Sequence, residues 1–387
     1  MALSTREQEV LGALDGMHDE MVAFLERLVN IESGSYNKAG VDAVVAALHE
    51  HLAARGVACD VRPHATFGSC MRAAVNGPGG STERPVVLMG HCDTVFPDGT
   101  VAERPFTIKG DLAYGPGVAD MKSGLVINSF VLETFARLGA PLPLVGLYTA
   151  DEEIASPSSR PMIEAEARHA RAVLNSEPGR PTGNVVTGRK GAMFIEFEVT
   201  GKAAHSGVNH QDGISAIEAL CRKVPRLHAI TDYATGTTAN VGLISGGMSV
   251  NTVAARARAA VDVRYKTMDA MKAAREQIVG IVQKEEFAGS AARIVNEGTF
   301  LPFVSSPGSK ALFDLYAQAS ADLGLKVEGE FTGGSADSGL TSNAGVPTLC
   351  ATGPVGGKPH TADEYLVLSS LVPRAKALAL TILRLEA

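Results

Sequence analysis

The sequence lacks the features that mark several classes of protein. Its five cysteines are scattered without a Cys-x-x-Cys pair, which argues against a disulfide framework and for reduced thiols in the cytoplasm. It has no basic run, and its net charge is −7, so nucleic acid is not an expected partner. No apolar stretch is long enough to cross a membrane, and the N-terminus shows no signal-peptide core. We therefore expect a cytoplasmic protein with neither a nucleic-acid nor a membrane partner.

The length of the chain and the order of its patterns predict two domains. A chain of 387 residues exceeds the size at which a single core usually stops growing. Helical and strand patterns alternate to about Pro178, as in an α/β domain. From Gly183 the order becomes strand, helix, strand, strand, helix, which is typical of a small two-layer domain. The α/β pattern then returns, so we predict a discontinuous domain over 1–181 and 297–387, with an insertion over 182–296.

The predicted elements follow from hydrophobic periodicity. We expect helices at 7–30, 40–55, 125–138, 161–169, 214–227, 269–287, 309–323 and 369–385. We expect strands at 86–89, 144–150, 172–174, 193–199, 239–244, 255–265 and 347–351.

Acidic residues and a histidine follow the apolar strands of the first domain. His91 and Asp93 come directly after the first of these strands, two residues apart, so in an extended segment their side chains leave the same face and can meet. This spacing is typical of a metal-binding imidazole held by a carboxylate. Glu177 follows the strand at 172–174 and precedes Pro178 and Gly179, which mark a loop.

The strand at 144–150 ends in Asp151, Glu152 and Glu153. A strand end that turns can aim both glutamates into one cleft, so that one binds metal while its neighbour takes a proton. Asp120 lies in a turn-rich segment before an apolar helix, and we expect it at the start of that helix. Since a doubly wound sheet collects its ligands beyond the carboxyl ends of its strands, these acids predict a metal site there.

Seven motifs occur in order along the chain: Gly-His-Cys-Asp-Thr-Val at 90–95, Gly-Val-Ala-Asp-Met-Lys-Ser-Gly at 117–124, Asp-Glu-Glu at 151–153, Ser-Glu-Pro at 176–178, Gly-Lys-Ala-Ala-His-Ser-Gly at 201–207, Val-Asp-Val-Arg-Tyr at 261–265 and Pro-His-Thr-Ala-Asp-Glu-Tyr at 359–365. With these motifs the chain resembles the co-catalytic di-zinc metallopeptidases of family 20, which include glutamate carboxypeptidase (carboxypeptidase G type), aminoacylase, acetylornithine deacetylase and succinyl-diaminopimelate desuccinylase. The resemblance runs from about Met21 to the end.

The resemblance implies a fold and a metal centre. The fold is α/β, a zinc-peptidase (phosphorylase/hydrolase-like) catalytic domain with an inserted two-layer α+β lid and dimerisation domain. Two zinc ions per subunit are implied, although carboxylate and imidazole ligands also accept cobalt or manganese. Asp120 would bridge the ions, Glu152 would be the general base, and Asp93 would orient His91. His91 and Glu177 would complete one ion, and Glu153 and His360 the other.

The resemblance also implies roles for the inserted domain. His205 matches the family histidine that reaches across a dimer interface to stabilise the oxyanion in the partner's site. Arg264 resembles the arginine that binds the free carboxylate of the substrate, a task suited to a guanidinium. Asn240 is its candidate companion, and a glycine loop offers backbone N–H groups to the same carboxylate from Gly333, Gly334 and Ser335. Arg189 and Lys190 are either substrate-binding residues or surface charges beside a hinge.

The implied function is hydrolysis of an amide next to a free carboxylate by a homodimer acting on small acyl- or peptidyl-amino acids. The motifs look most like the glutamate carboxypeptidase branch, but the glycine loop departs from it, with Gly-Gly-Ser-Ala-Asp-Ser at 333–338 where that branch has Gly-Gly-Gly-Thr-Asp. The chain could instead be an N-acyl-amino-acid deacylase, a hydrolase of another small amide or aryl amine, or a non-catalytic dimeric binding protein. The general base Glu152 weighs against the last.

Overall fold

The computed structural model describes residues 3–80 and 83–385. Its helices are α1 Thr5–Asp15, α2 His18–Val29, α3 Lys38–Ala53, α4 Thr100–Glu103, α5 Ser123–Leu138, α6 Arg160–His169, α7 Ala216–His228, α8 Met268–Gln283, α9 Pro307–Asp322, α10 Ser338–Asn343 and α11 Leu371–Leu385. Its strands are β1 Ala58–Arg62, β2 Cys70–Val75, β3 Val86–His91, β4 Thr107–Lys109, β5 Leu112–Tyr114, β6 Leu144–Thr149, β7 Ala172–Asn175, β8 Val185–Arg189, β9 Gly191–Thr200, β10 Thr238–Gly246, β11 Arg256–Tyr265, β12 Ala291–Phe300, β13 Gly329–Thr332, β14 Thr348–Cys350, β15 Gly356–Gly357 and β16 Tyr365–Val367.

The chain divides into two compact units. Unit 1 comprises Met1–Gly188, Ser305–Phe331 and Leu340–Ala387, and unit 2 comprises Arg189–Val304 and Thr332–Gly339. Unit 2 therefore includes the glycine loop at 333–335, which lies in the sequence between two segments of unit 1. No described helix has the length and apolar character needed to span a membrane.

Unit 1 is built on an eight-stranded sheet in the order β1-β2-β6-β3-β7-β14-β8-β13. Its centre is parallel, and the residues of β3, β6 and β7 are buried throughout because both faces of the sheet are covered. In the register, His91 pairs with Thr149 of β6, and Met89 pairs with Asn175 of β7. The carboxyl ends of these three strands are therefore level with one another, which confirms the predicted α/β architecture.

Helix α5 is the most buried helix of unit 1 and begins close to the end of β7. A Cβ on Gly124 would lie 2.0 Å from the backbone oxygen of Ser176, so only glycine allows this approach. The hydroxyl of Ser176 donates to Oδ1 of Asn128 on the same helix. The turn that carries Asp120 is thereby brought close to the loop that carries Glu177.

The sequence patterns were wrong at several points in both units. The helix expected over 7–30 is two helices, α1 and α2, because the chain turns at Gly16 and Met17. Asp120 is not at the start of a helix: its backbone angles are φ −109° and ψ 94°, and α5 begins at Ser123. A four-stranded sheet of short strands, β15-β16-β5-β4, was not predicted.

Unit 2 contains a four-stranded antiparallel sheet in the order β10-β11-β9-β12, packed against α7 and α8. Its buried residues alternate along the strands and include Ile195, Phe197, Val261 and Val263, as expected for a sheet with one covered face. Strand β12 was missed because its residues are mostly half-buried or exposed, which weakens the period-two pattern. The predicted boundary at 296/297 falls inside this strand.

Candidate metal centre

His91 is buried at the end of β3 and held by Asp93. Its Nδ1 lies 3.2 Å from Oδ1 of Asp93 and 3.0 Å from the backbone oxygen of the same residue. Its Nε2 lies 3.2 Å from Oδ1 of Asp120. Burial lowers the pKa of His91, but hydrogen bonds with Asp120 and Asp93 outweigh it and raise that pKa well above the usual value. The ring is therefore oriented with Nε2 towards the other acids.

The two carboxylate oxygens of Asp120 face different histidines. Oδ1 is next to His91, and Oδ2 lies 3.4 Å from Nε2 of His360. Burial raises the pKa of Asp120, but hydrogen bonds with His360 and His91 bring it well below its usual range. A carboxylate that presents one oxygen to each of two imidazoles has the arrangement needed to bridge two cations.

Glu153 completes one side of this arrangement. Its Oε2 lies 3.3 Å from Nε2 of His360, while its Oε1 is buried and has no hydrogen-bond partner among the described residues. Burial raises the pKa of Glu153 to about 7, against the opposing effect of His360. Since a buried carboxylate oxygen without a partner costs free energy, this oxygen fits a metal ligand.

Glu152 and Glu177 lie near His91. Nε2 of His91 is 3.9 Å from Oε2 of Glu152 and 3.8 Å from Oε1 of Glu177. Both glutamate side chains are buried. Two sets of potential ligands, each with its ligand atoms within 4.8 Å of one another, thus share His91: one adds Asp120 and Glu153, and the other adds Glu152 and Glu177.

The donor set fits divalent cations of the zinc type, which bind imidazole nitrogen and carboxylate oxygen. The sequence-predicted ligands His91, Asp120, Glu153, Glu177 and His360 all converge here. Glu152, predicted as the general base, lies close enough to belong to one of the sets. Cys92 is buried, and burial raises the pKa of its thiol far above the usual range.

Asp93 does more than orient His91. Its Oδ1 accepts the backbone N–H of Glu152 at 3.0 Å, and its Oδ2 accepts that of Glu153 at 3.1 Å. Oδ2 also accepts the hydroxyl of Ser35 at 2.6 Å. Sequence reasoning missed Ser35, because a serine 58 residues before Asp93 carries no local signal of this contact.

Glu364 is a second buried acid that holds the backbone near a candidate ligand. Its Oε1 accepts the N–H groups of Ala119 and Asp120 at 2.8 and 2.9 Å, and its Oε2 accepts that of Gly117 at 3.1 Å. Burial raises the pKa of Glu364 to about 7. Glu364 belongs to the motif at 359–365, but the family resemblance implied no role for it.

The predicted substrate-binding residues lie in unit 2. Arg264 on β11 donates from Nε and Nη2 to Asp262 at 2.8 and 2.9 Å, and its Nη1 lies 3.5 Å from the hydroxyl of Ser335. Asn240 on β10 pairs with Asp262 in the register. His205 is exposed, and its Nδ1 accepts the N–H of Gly207. Within this unit Arg264 therefore contacts both Asp262 and Ser335, and Asn240 lies opposite Asp262 on the neighbouring strand.

The glycine loop is bound from within unit 2 by Arg189. Nη1 of Arg189 donates to the backbone oxygens of Gly334 and Ser335, each at 3.3 Å. The hydroxyl of Ser335 donates to the backbone oxygen of Lys190 at 2.9 Å. Arg189 is only 7% exposed, so its interpretation as a surface charge was wrong: it supports the loop.

Comparison with known proteins identifies the family. The chain matches peptidase family M20/M25/M40 over residues 87–384. It belongs to this family. Carboxypeptidase G2 of Pseudomonas sp. (strain RS-16) is 29% identical over 383 residues, covering 96% of this chain and 91% of the relative. Acetylornithine deacetylase of Myxococcus xanthus is 33% identical over 203 residues, covering 49% of this chain and 52% of that protein.

Solved structures of M20 enzymes share the fold. A tripeptidase from Staphylococcus aureus superposes with a TM-score of 0.75 at 21% identity, covering 95% of this chain and 98% of that one. An M20 metallo-carboxypeptidase from Sulfolobus solfataricus gives a TM-score of 0.76 at 18% identity, covering 95% and 99%. The predicted fold class and family are therefore confirmed.

Family membership also confirms the predicted enzyme class. M20 enzymes are metal-dependent hydrolases of peptide and acyl-amino-acid amide bonds, so this chain is a metallohydrolase that acts on small substrates of that kind. The histidines and carboxylates that lie close together in unit 1 are suited to hold the metal.

Proposed function

We propose that this M20 enzyme is a di-zinc carboxypeptidase-type amidohydrolase. It releases an amino acid, with glutamate as the preferred residue, from an acyl or peptidyl conjugate. The observation that carries the proposal is the Asp120 carboxylate, whose two oxygens face His91 and His360. His91 and Glu177 would hold one ion, Glu153 and His360 the other, and Asp120 both. The similarity to carboxypeptidase G2 over 96% of the chain supports glutamate as the released residue.

The chemistry divides between the metal and the protein. Two zinc ions bound there would lower the pKa of a water and polarise the scissile carbonyl. Glu152 takes a proton from the attacking water and delivers it to the leaving nitrogen, which separates as an amine. Asp93 holds the backbone N–H groups of Glu152 and Glu153, so base and ligand keep their relative positions. No covalent intermediate with the protein is needed.

Recognition of the free carboxylate is assigned to unit 2. The guanidinium of Arg264 would bind it, with Asn240 beside it and the N–H groups of Gly333, Gly334 and Ser335 as further donors. The ion pair with Asp262 supports this role because it orients the guanidinium. Arg189 donates hydrogen bonds to the backbone carbonyl groups of Gly334 and Ser335 in the glycine loop.

A second candidate is an N-acyl-amino-acid deacylase with the same metal centre. The 33% identity to acetylornithine deacetylase favours a deacylase over a hydrolase of some unrelated small amide or aryl amine. The carboxypeptidase and deacylase activities differ in which side of the amide is large, so one substrate panel separates them. A non-catalytic binding protein has no need of a general base at Glu152.

The experiment is amino-acid release by the zinc-loaded protein from N-acyl and peptidyl amino acids, beside Glu152→Gln with its metal content measured. We expect release from glutamate conjugates, and a loss of at least about 10²-fold in the variant with zinc retained. Release confined to acetyl-amino acids would favour the deacylase. A zinc-loaded protein inactive on the whole panel would overturn the proposal.

We further propose a homodimer in the cytoplasm. The edge strand β10 exposes Leu243 and Ile244, and the segment after it exposes Met248 and Val250. Four exposed apolar side chains within eight residues suit a subunit interface. No disulfide joins any of the five cysteines, which suits a reducing compartment. Light scattering of the wild-type protein and Leu243→Lys tests the dimer: a wild-type monomer would refute it.

The proposed role of His205 in the partner's site has its own test. His205→Ala and Glu152→Gln are each expected to be inactive, and their mixture is refolded or co-expressed. If His205 serves the partner, roughly a quarter of wild-type activity returns, because half of the dimers are mixed and each has one complete site. If His205 serves its own subunit, the mixture stays inactive.

A further inference from the structure

Unit 1 contains a small cavity beside the start of α11. Its volume is about 240 Å³, and all of its lining residues belong to unit 1. The lining is mainly apolar and includes Leu325, Val327, Val355 and Pro373. It also includes Arg374, a buried charged residue. The cavity is therefore an apolar space with a cation in its wall.

Arg374 is the buried cation of this cavity. It is only 3% exposed. Its Nη1 donates to the hydroxyl of Tyr316 at 3.1 Å, and its Nη2 donates to the backbone oxygen of Gly183, which also lines the cavity. Both acceptors are neutral, and in the part of the chain that the structure describes no acidic side chain pairs with this guanidinium. A buried charge without an opposite charge costs free energy, which a bound anion would offset.

The position of Arg374 in its helix also favours an anion. Helix α11 begins at Leu371, so Arg374 lies in its first turn. The N-terminal end of a helix carries partial positive charge, which makes a cation there unfavourable and an anion favourable. One acid, Asp111, lies at this end of the helix, but its carboxylate accepts the N–H and the hydroxyl of Ser369 at 2.9 and 2.5 Å. The side-chain charge and the helix end therefore act on an anion in the same direction.

We propose that Arg374 and this cavity form a binding site for a small monocarboxylate with an apolar body. A carboxylate matches the planar donors of the guanidinium, and an aliphatic body would cover the apolar wall at Leu325 and Val327. Lys326 also lines the cavity, but it is exposed and pairs with Glu328 at 2.8 Å. Since the charged lining residues are both cations, the ammonium group of an amino acid is disfavoured there.

This site is distinct from the candidate metal centre, because none of its lining residues is a candidate metal ligand. The two are joined by the segment 353–356. The N–H of Val355 donates to the hydroxyl of Ser370 at 2.8 Å, and both residues line the cavity. The N–H of Gly353 donates to the backbone oxygen of Glu177 at 3.0 Å. A monocarboxylate bound here would therefore be a second ligand of the enzyme and need not be its substrate.

The test is calorimetry of the zinc-loaded protein with isocaproate, which is leucine without its amino group. We expect binding in the millimolar range, which is usual for a ligand of this size. Arg374→Gln should weaken it at least about tenfold, because a charged hydrogen-bonded pair is lost. Val327→Phe should weaken it similarly by filling the cavity while Arg374 stays in place. Arg264→Gln is the control: it removes the guanidinium proposed for the substrate carboxylate and should leave this binding within about twofold.

Thermal unfolding and zinc content show whether each variant is folded. No binding by the wild-type protein would overturn the proposal. Binding that persists in both Arg374→Gln and Val327→Phe would also overturn it, because the acid would then be bound at the metal ions or at Arg264.

Three matched probes test the class of ligand. Isocaproamide has the same shape as isocaproate without the charge, leucine adds an ammonium group, and inorganic phosphate has charge without an apolar body. Each should bind at least about tenfold more weakly than isocaproate, because each lacks one of the two contacts or brings a cation towards Arg374. Equal binding of any one of them would overturn the proposed ligand class. The result does not depend on which amides the enzyme cleaves, so the proposed function can fail without it.

Discussion

The hydroxyl of Ser35 donates a hydrogen bond of 2.6 Å to Oδ2 of Asp93, and both side chains are buried. The same carboxylate accepts the N–H groups of Glu152 and Glu153 and contacts His91. One carboxylate therefore holds a candidate ligand, the candidate base and the histidine in fixed relation. Ser35 donates one further hydrogen bond to this carboxylate. We therefore expect Ser35 to affect catalysis only through Asp93.

Ser35→Ala should lower kcat about tenfold with KM within about twofold, because a buried carboxylate loses a donor worth about 1.5–3 kcal/mol. Ser35→Thr should recover most of the activity. Ser33→Ala is a matched control: Ser33 is 2% exposed, and its hydroxyl has no hydrogen-bond partner among the described residues. Steady-state kinetics and zinc content measure the effect. Equal losses for Ser35→Ala and Ser33→Ala would mean that the loss reflects packing.

Glu364→Gln should weaken metal binding about 10- to 100-fold, the usual effect of removing a group that positions a ligand. The amide cannot accept all three N–H groups of the turn that carries Asp120. Competition with a chelator measures the affinity, and the visible spectrum of the cobalt-loaded protein reports ligand geometry. Asp363→Asn is the control, since that neighbouring acid is exposed and pairs with Lys358. Unchanged affinity and spectrum in Glu364→Gln would contradict the prediction.

Metal affinity should rise as the pH increases through about 7 and on towards about 10, as expected for ligands that must lose protons. In the metal-free protein, hydrogen bonds that His360 donates to Asp120 and Glu153 raise the pKa of His360 to about 10, against the effect of burial. Burial raises the pKa of Glu153 to about 7. Below about pH 7 both side chains therefore carry a proton, and a cation that binds there must displace both protons.

Calorimetry of zinc binding in buffers of different ionisation enthalpy measures the protons released. We expect net release near neutral pH, and less of it in His360→Ala, which has no imidazole to deprotonate. A proton count of zero in the wild-type protein would show that His360 is already neutral before the metal binds.

Arg264→Lys should raise KM for acyl-amino acids about tenfold or more and leave the corresponding carboxamides unaffected, because lysine cannot reproduce the planar fork of donors. Arg258→Lys is the control: Arg258 lies on the same strand and pairs with Glu198 at 3.1 Å. The ratio of kcat/KM for free acid and carboxamide is the measurement. A ratio that shifts equally in both variants would argue for a general effect on β11.

The central strands of unit 1 were predictable because their burial on both faces leaves continuous apolar runs. Strand β3 was expected at 86–89 and lies at Val86–His91, and the site residues follow such runs directly. The break between α1 and α2 and the strand β12 were not predictable in this way. Polar and half-buried positions there carry little periodicity, and packing decides the conformation.

By itself the sequence determined the chemical groups available and where in each strand they occur, since the side-chain period and the apolar runs are local properties. Spacing and periodicity alone did not separate the tasks of Asp93, Asp120 and Glu364, which are all buried or nearly buried acids. The family resemblance implied tasks for Asp93 and Asp120 and none for Glu364. Tertiary structure decided these tasks. Asp93 and Glu364 face backbone N–H groups and support the chain, whereas Asp120 faces two imidazoles and is left to bind a cation.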